Sequence, residues 1–118
     1  MIDADFAQTF ARDWVKAWND HDLEGILAHY AEDVVFHSPR ILLVTGRAAD
    51  SASGKAELRA YWAKALEQSR DLFFEIDQVM AGSDALTILY TNQRQQSVAE
   101  TFVFGGDGKV VRSIAAYA

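Results

Sequence analysis

The sequence predicts one α+β domain in which helices pack against one face of a mainly antiparallel sheet. Two observations carry this prediction. Apolar residues recur at helical spacing through the first half of the chain, and they alternate with a period of two from Leu72 onward. A length of 118 residues suits a single domain, residues 1–118, that buries its own core without disulfides.

Three helices are expected in the first half of the chain. The first has Asp3 as its cap and carries an aromatic stripe at helical spacing. The stripe consists of Phe6, Phe10, Trp14 and Trp18. A second, shorter helix has Asp22 as its cap and closes at Asp33, with Tyr30 on its apolar face. A third begins near Gly54.

Five strands are expected. The first is DVVFHSP, residues 33–39, which ends at a proline. The others are LFFEIDQVM, ALTILYTNQ, SVAETFVF and KVVRSIAAY. Their short connections suit hairpin turns, so these four strands form an antiparallel meander. Residues 40–53 are a long connection between the first strand and the third helix, and we interpret the apolar run ILLV at 41–44 as a lid or a short strand.

Composition excludes several classes of function. With 17 acidic and 11 basic side chains the net charge is -6, and no basic stripe suits a nucleic acid. The absence of cysteine excludes thiol catalysis and thiolate zinc sites. The acidic N-terminus lacks the features of a signal peptide and no apolar run is long enough for a membrane span, so we expect a cytoplasmic protein without a membrane partner.

No cofactor or metal is expected either. The GGDG turn links two strands instead of opening a helix, so it is not a phosphate-binding loop. His21, His29 and His37 are spaced by eight residues and lack the close pairing typical of metal ligands.

Three stretches resemble the SnoaL-like branch of the nuclear transport factor 2-like superfamily, which includes ketosteroid isomerase. They are WVKAWNDHDLEGILAHYAEDVVFHSP, GKAELRAYWAKAL and FVFGGDGKVVRSIAAY, and together they cover most of the chain. The resemblance implies a cone-like α+β barrel, with three N-terminal helices on a curved sheet, a ligand pocket at the open end and a homodimer through the outer sheet face.

The resemblance does not carry steroid isomerisation across. The catalytic aspartate of ketosteroid isomerase precedes the proline of the first strand, where this chain has Ser38, and its oxyanion tyrosine falls at Trp14. A neutral serine does not act as a base unless another group activates it. Of the remaining polar groups, the second acid is retained as Glu100. The supporting tyrosines correspond to Tyr30, which is kept, and to Trp62.

Strand alternation identifies Glu100 as the main candidate. If it points inward it shares a face with Val98, Phe102 and Phe104, and burial would raise its pKa. The alternative is a structural carboxylate, either paired with an arginine such as Arg94 or Arg112 or exposed at the mouth of a barrel. The register of the family implies that two further sets of side chains face inward from the neighbouring strands. These are Leu86, Ile88, Tyr90 and Asn92, and Val111, Ser113, Ala115 and Tyr117.

The candidate catalytic residues are Glu100, Tyr90 and His37, with His37 requiring a one-residue slip in register to face inward. Otherwise His37 lies on the sheet surface or in a dimer interface. The candidate pocket residues are Trp14, Trp18, Tyr30, Phe36, Ser38, Trp62, Ile88, Asn92, Phe102 and Tyr117. Aromatic residues at helical spacing are also typical of core packing.

Three functions fit these residues. The first is an isomerase, lyase or hydrolase that acts by acid-base chemistry on an apolar or polyketide- or steroid-like metabolite. The second is a noncatalytic protein that binds a small apolar molecule in the same pocket. The third is a dimeric interaction module whose cavity is filled by its own aromatic side chains.

Overall fold

The computed structural model describes all 118 residues. Four helices and six strands follow one another along the chain. They are α1 (Ala4–Asn19), α2 (Leu23–Leu27), β1 (Tyr30–His37), α3 (Arg40–Thr45), β2 (Ser51–Ser53), α4 (Gly54–Gln68), β3 (Glu75–Ala81), β4 (Ala85–Thr91), β5 (Ser97–Phe104) and β6 (Val110–Tyr117).

The six strands form one sheet in the order β2-β1-β6-β5-β4-β3. Strands β3 to β6 are the predicted antiparallel meander. Strand β1 runs parallel to β6, so the sheet is mixed and mostly antiparallel. Helices α1 and α4 pack on this sheet and bury its apolar inner side, which confirms the α+β class.

The two predicted aspartate caps are present. The Asp3 carboxylate accepts hydrogen bonds from the backbone N–H groups of Asp5 at 2.8 Å and Phe6 at 3.2 Å, where α1 begins. The Asp22 carboxylate accepts one from Gly25 at 3.0 Å at the start of α2. Side-chain acceptors at these positions satisfy N–H groups that have no partner inside the helix.

The prediction that the second helix reaches Asp33 is wrong. Helix α2 ends at Leu27, and Tyr30 is the first residue of β1. The reason is tertiary pairing, because Tyr30 aligns with Val110 of β6 before the register shifts and resumes at Val35. Sheet pairing therefore overrides the local helical pattern in this segment.

The segment 40–53 contains a helix that the sequence did not predict. Residues 41–44 belong to α3, not to a strand, and the short strand β2 follows later at Ser51–Ser53. Ile41 and Val44 are buried, one turn apart, while Leu42 and Leu43 face solvent. The helix ends at Gly46, whose φ of 74° is the left-handed conformation that glycine adopts without strain.

The inward register is confirmed in β4 and β5 and is wrong at one position of β6. Val98, Glu100 and Phe102 are all buried, as are Leu86, Ile88 and Tyr90 on β4 and Asn92 directly after it. In β6 the buried valine is Val110 and not Val111. A register irregularity between Val103 and Phe104 accounts for this one-residue difference.

None of the helices combines the length and apolar character that a bilayer span requires.

Candidate functional site

A cavity of about 190 Å³ lies between the inner face of the sheet, α4 and α3. Seven of the seventeen residues that line it are aromatic. Trp18, Phe36, Tyr61, Trp62, Phe74, Tyr90 and Tyr117 supply these rings. Glu100 is the only acidic residue in the lining, and Arg40 and Arg94 are the only basic ones. A cavity that combines aromatic walls with a few placed polar groups is typical of a small-molecule site.

Glu100 lies in the middle of β5 with 4 % of its surface exposed. The Tyr90 hydroxyl donates a hydrogen bond to its Oε1 at 3.0 Å, and the Ser113 hydroxyl lies 3.5 Å from its Oε2. No ion pair in the structure includes Glu100, so the alternative of a carboxylate paired with Arg94 or Arg112 is wrong. The only groups that hold this carboxyl are neutral hydroxyls.

Burial raises the pKa of Glu100 from its ordinary value of 4.5 to about 7. The hydrogen bonds from Tyr90 and Ser113 oppose this shift because they favour the ionised carboxylate, but desolvation is the larger effect. At neutral pH both the protonated and the ionised forms of Glu100 are therefore populated.

The tyrosines of the cavity remain protonated in the same pH range. Burial raises the pKa of Tyr90 well above its ordinary value, and the negative charge of Glu100 raises it further. Burial also raises the pKa of Tyr61, and it raises that of Tyr117 to about 12. These hydroxyl groups can donate hydrogen bonds to a ligand or to Glu100, but they do not act as bases at neutral pH.

The deepest part of the interior is filled by Trp14. Its indole N–H donates a hydrogen bond of 2.9 Å to the Tyr30 hydroxyl, and both side chains are buried. The ring also packs against Phe102 and Tyr90, with centroid distances of 5.1 Å and 5.6 Å. This aromatic cluster occupies the interior on the α1 side of Glu100 and leaves the cavity on the α4 side.

The structure divides the predicted pocket residues into two groups. Trp18, Phe36, Trp62, Asn92 and Tyr117 line the cavity together with Glu100 and Tyr90. Trp14, Tyr30, Ser38, Ile88 and Phe102 are buried but lie outside the lining. Trp14 packs directly against Phe102, with ring centroids 5.1 Å apart.

His37 and Asn92 have less direct links to the cavity. His37 pairs in regular register with Ser51 and Ile114, and it does not line the cavity. Asn92 lines the cavity, but its side-chain oxygen accepts hydrogen bonds from the backbone of Arg94 and Gln96. Its amide therefore holds the β4–β5 turn. No three His, Asp or Glu side chains are arranged to hold a metal ion.

Some lining residues were missed by the sequence analysis. Arg40 and Arg94 lie just outside strands, where no periodic pattern reports which way a side chain points. Gln68 lines the cavity from the same face of α4 as Tyr61 and Ala65. Their spacing of four and then three residues is the one signal that could have identified Gln68.

The sequence profile of the SnoaL-like domain family matches residues 11–117. The chain belongs to this family. A SnoaL-like protein of unknown function from Burkholderia thailandensis shares 41 % identity, with 100 % of this chain and 99 % of that chain covered and a TM-score of 0.92. The fold is that of the nuclear transport factor 2-like and ketosteroid isomerase-like structural group.

Two more distant structures share the fold of this SnoaL-like chain. A protein with a cystatin-like fold from Methylobium petroleophilum is 19 % identical, with 99 % of this chain and 78 % of that chain covered and a TM-score of 0.78. SalBIII, an epoxide hydrolase/cyclase-like enzyme in pyran ring formation in the polyether salinomycin, is 14 % identical, with 100 % and 95 % covered and a TM-score of 0.75. No curated protein matches the chain.

Proposed function

We propose that the protein is a small-molecule enzyme that transfers a proton to or from its substrate through Glu100. The observation that carries this proposal is a buried carboxyl at the wall of an aromatic cavity, hydrogen-bonded only by hydroxyls and without a cationic partner. A pKa of about 7 makes Glu100 available both as an acid and as a base near neutral pH.

The cavity volume favours a substrate with a single ring. A cavity of about 150 Å³ in another protein holds benzene, and the volume here is about 190 Å³. A four-ring steroid or polyketide would need more space than this. The aromatic walls favour a planar, apolar ring that stacks against Trp62, Phe36 or Tyr61.

Hydroxyl groups in the cavity wall are available to the substrate as hydrogen-bond donors. Tyr61 and Tyr117 line the cavity, and burial raises the pKa of both hydroxyls, so they stay protonated at neutral pH. A hydrogen bond from one of these hydroxyls to a carbonyl oxygen of a bound substrate would polarise the carbonyl group and increase the acidity of an adjacent C–H.

The proton transfer then balances on Glu100 alone. The carboxylate removes a proton from the carbon next to the carbonyl, and the electron pair moves onto the carbonyl oxygen. The resulting carboxylic acid then returns the proton to the same carbon or, where the enolate is conjugated with a C=C bond, to the far end of that bond, while the carbonyl group forms again. Tyr90 holds the carboxyl in place through its 3.0 Å hydrogen bond. Isomerases and lyases that act next to a carbonyl group begin with such a step.

Hydrogen exchange with solvent tests this proposal without knowledge of the natural substrate. The protein is incubated in D₂O with single-ring ketones that carry an exchangeable C–H, and deuterium uptake is followed by mass spectrometry. We expect wild-type protein to accelerate uptake and Glu100→Gln to reduce that acceleration by roughly 10²–10⁴-fold, which is the usual contribution of a general base.

Glu75→Gln is the matched control, because Glu75 is exposed on β3 and does not line the cavity. It should exchange the ketones at the wild-type rate. A wild-type protein that binds the ketones but does not accelerate uptake would contradict the enzymatic proposal and would favour the noncatalytic binding function.

A further inference from the structure

Two arginines stand at the mouth of the cavity. Arg40 begins α3 and Arg94 lies in the turn between β4 and β5, and both line the cavity. Both also line a shallow depression immediately outside it, together with Leu43, Gln95, Gln96 and Ala118. They therefore occupy the boundary between the enclosed space and solvent, one on each of two separate elements.

The fold holds the side chain of Arg40 and the backbone of Arg94 in place. The Arg40 guanidinium lies over the ring of Tyr117, 5.8 Å from its centroid. The backbone N–H of Arg94 donates a 2.9 Å hydrogen bond to the Asn92 side chain, which also binds Gln96 on the other side of the turn. Both arginines lie close enough to the Tyr117 hydroxyl for their positive charges to lower the pKa of Tyr117. Burial raises that pKa by more, so the net effect is an increase.

Neither guanidinium is neutralised by the protein. The four ion pairs in the structure join Lys16 to Asp20, Arg47 to Glu57, Lys55 to Glu32 and Arg59 to Glu24. The chain has 17 acidic side chains and a net charge of -6, yet only Glu100 among them lines the cavity and none lines the outer depression. Two unpaired arginines at the entrance are therefore unexpected on a protein whose overall charge is negative.

We infer that the substrate is a small organic carboxylate, whose ring enters the aromatic cavity while its carboxylate lies at the mouth between Arg40 and Arg94. This inference rests on the proposed function and specifies its substrate class. Guanidinium groups bind carboxylates through charge-assisted hydrogen bonds. The two ends of the cavity then orient the ligand, with its charge outward and its reacting carbon toward Glu100.

The arrangement also keeps two negative charges apart. A carboxylate that entered the cavity head first would meet the Glu100 carboxyl in a site of low polarity, where like charges repel strongly. Arginines at the mouth and an acid at the inner wall therefore favour one direction of entry over the other.

Binding of matched acids and amides tests the inference. The probes are benzoate and phenylacetate and their uncharged primary amides, titrated by calorimetry at about pH 6, where Glu100 is mostly protonated. We expect wild-type protein to bind each acid about tenfold more tightly than its amide, and added salt to reduce this preference. Arg40→Gln and Arg94→Gln should each weaken the preference, and the double variant should abolish it.

Three further variants make the result specific. Arg40→Lys should retain part of the preference for acids because it keeps the charge, whereas Arg12→Gln, an exposed change on α1 outside the cavity lining, should leave it unchanged. Glu100→Gln should also keep the preference while losing deuterium exchange, so the binding and catalytic proposals can fail separately. Equal affinity for acid and amide in wild-type protein, or no binding of either acid at millimolar concentration, would overturn the inference.

Discussion

Glu100 makes the stability of the protein depend on pH. Its pKa is about 7 in the folded protein, against an ordinary value of 4.5. The folded state therefore binds the proton more tightly than the unfolded chain does. The contribution of Glu100 to stability is fully present below about pH 4.5 and is lost as the pH rises through about 7.

The size of this loss can be measured against a variant that does not titrate. A raised pKa of this size corresponds to about 3 kcal/mol of unfolding free energy. As the pH rises from about 4 to about 8, we expect wild type to lose about this much unfolding free energy relative to the Glu100→Gln variant. Urea unfolding at several pH values measures it. A difference that stays constant with pH would show that Glu100 has an ordinary pKa.

At the level of single residues, the sequence predicted the site where side chains follow a strand period. Glu100, Tyr90 and Asn92 were placed correctly on the inner face because β4 and β5 are regular antiparallel strands, in which successive side chains must alternate. Arg40 and Arg94 could not be placed in this way. Their direction depends on a short helix and a turn that pack against the rest of the fold.

Helix α3 depends on a single backbone conformation at its end. Gly46 has a φ of 74°, and a Cβ built at this position meets no atom within 4 Å. The cost of Gly46→Ala is therefore conformational and not steric, and we expect it to lower the free energy of unfolding by about 1 kcal/mol.

Gly106→Ala is the matched control for this prediction. A Cβ there also meets no atom within 4 Å, and Gly106 does not have a positive φ. Urea unfolding of the two variants under the same conditions compares them directly. Equal stabilities would mean that α3 does not need the left-handed residue.

The failure of the sequence to predict α3 has a physical reason. Four apolar residues in a row are compatible with a buried strand, and such a short run contains less than two helical turns of pattern. The structure resolves the ambiguity by tertiary packing. Helix α3 packs against α4, Ile41 and Val44 are buried, and Leu43 is left 72 % exposed. The sequence alone does not specify which two of the four residues find a partner.

The outer face of the sheet is where we propose that two copies of the chain associate. Val35, Leu89, Thr101 and Val103 lie there, half-buried, and Ile114 beside them is exposed. Sedimentation at micromolar concentration should give a mass of about twice 13.1 kDa. Thr101→Arg should produce monomers, because it places a charge inside an apolar contact.

A conservative change at the same position controls for local damage. Thr101 shares a 2.8 Å hydroxyl contact with Thr87 on the outer face, so Thr101→Val removes this contact without adding charge. It should leave the mass at that of two chains. A wild-type mass of one chain would contradict the proposed dimer.

The parallel pairing of β1 with β6 links the beginning of the chain to its end. Tyr30 aligns with Val110, and Phe36 aligns with Ser113, across about 80 residues of sequence. During synthesis on the ribosome, β1 and the first helices emerge long before the strand that must lie beside them. The edge of β1 that β6 later covers then has no partner until β6 is made. Closure of this sheet is consequently a late event in folding, and the part of the cavity wall that contains Tyr117 forms only after β6 has paired.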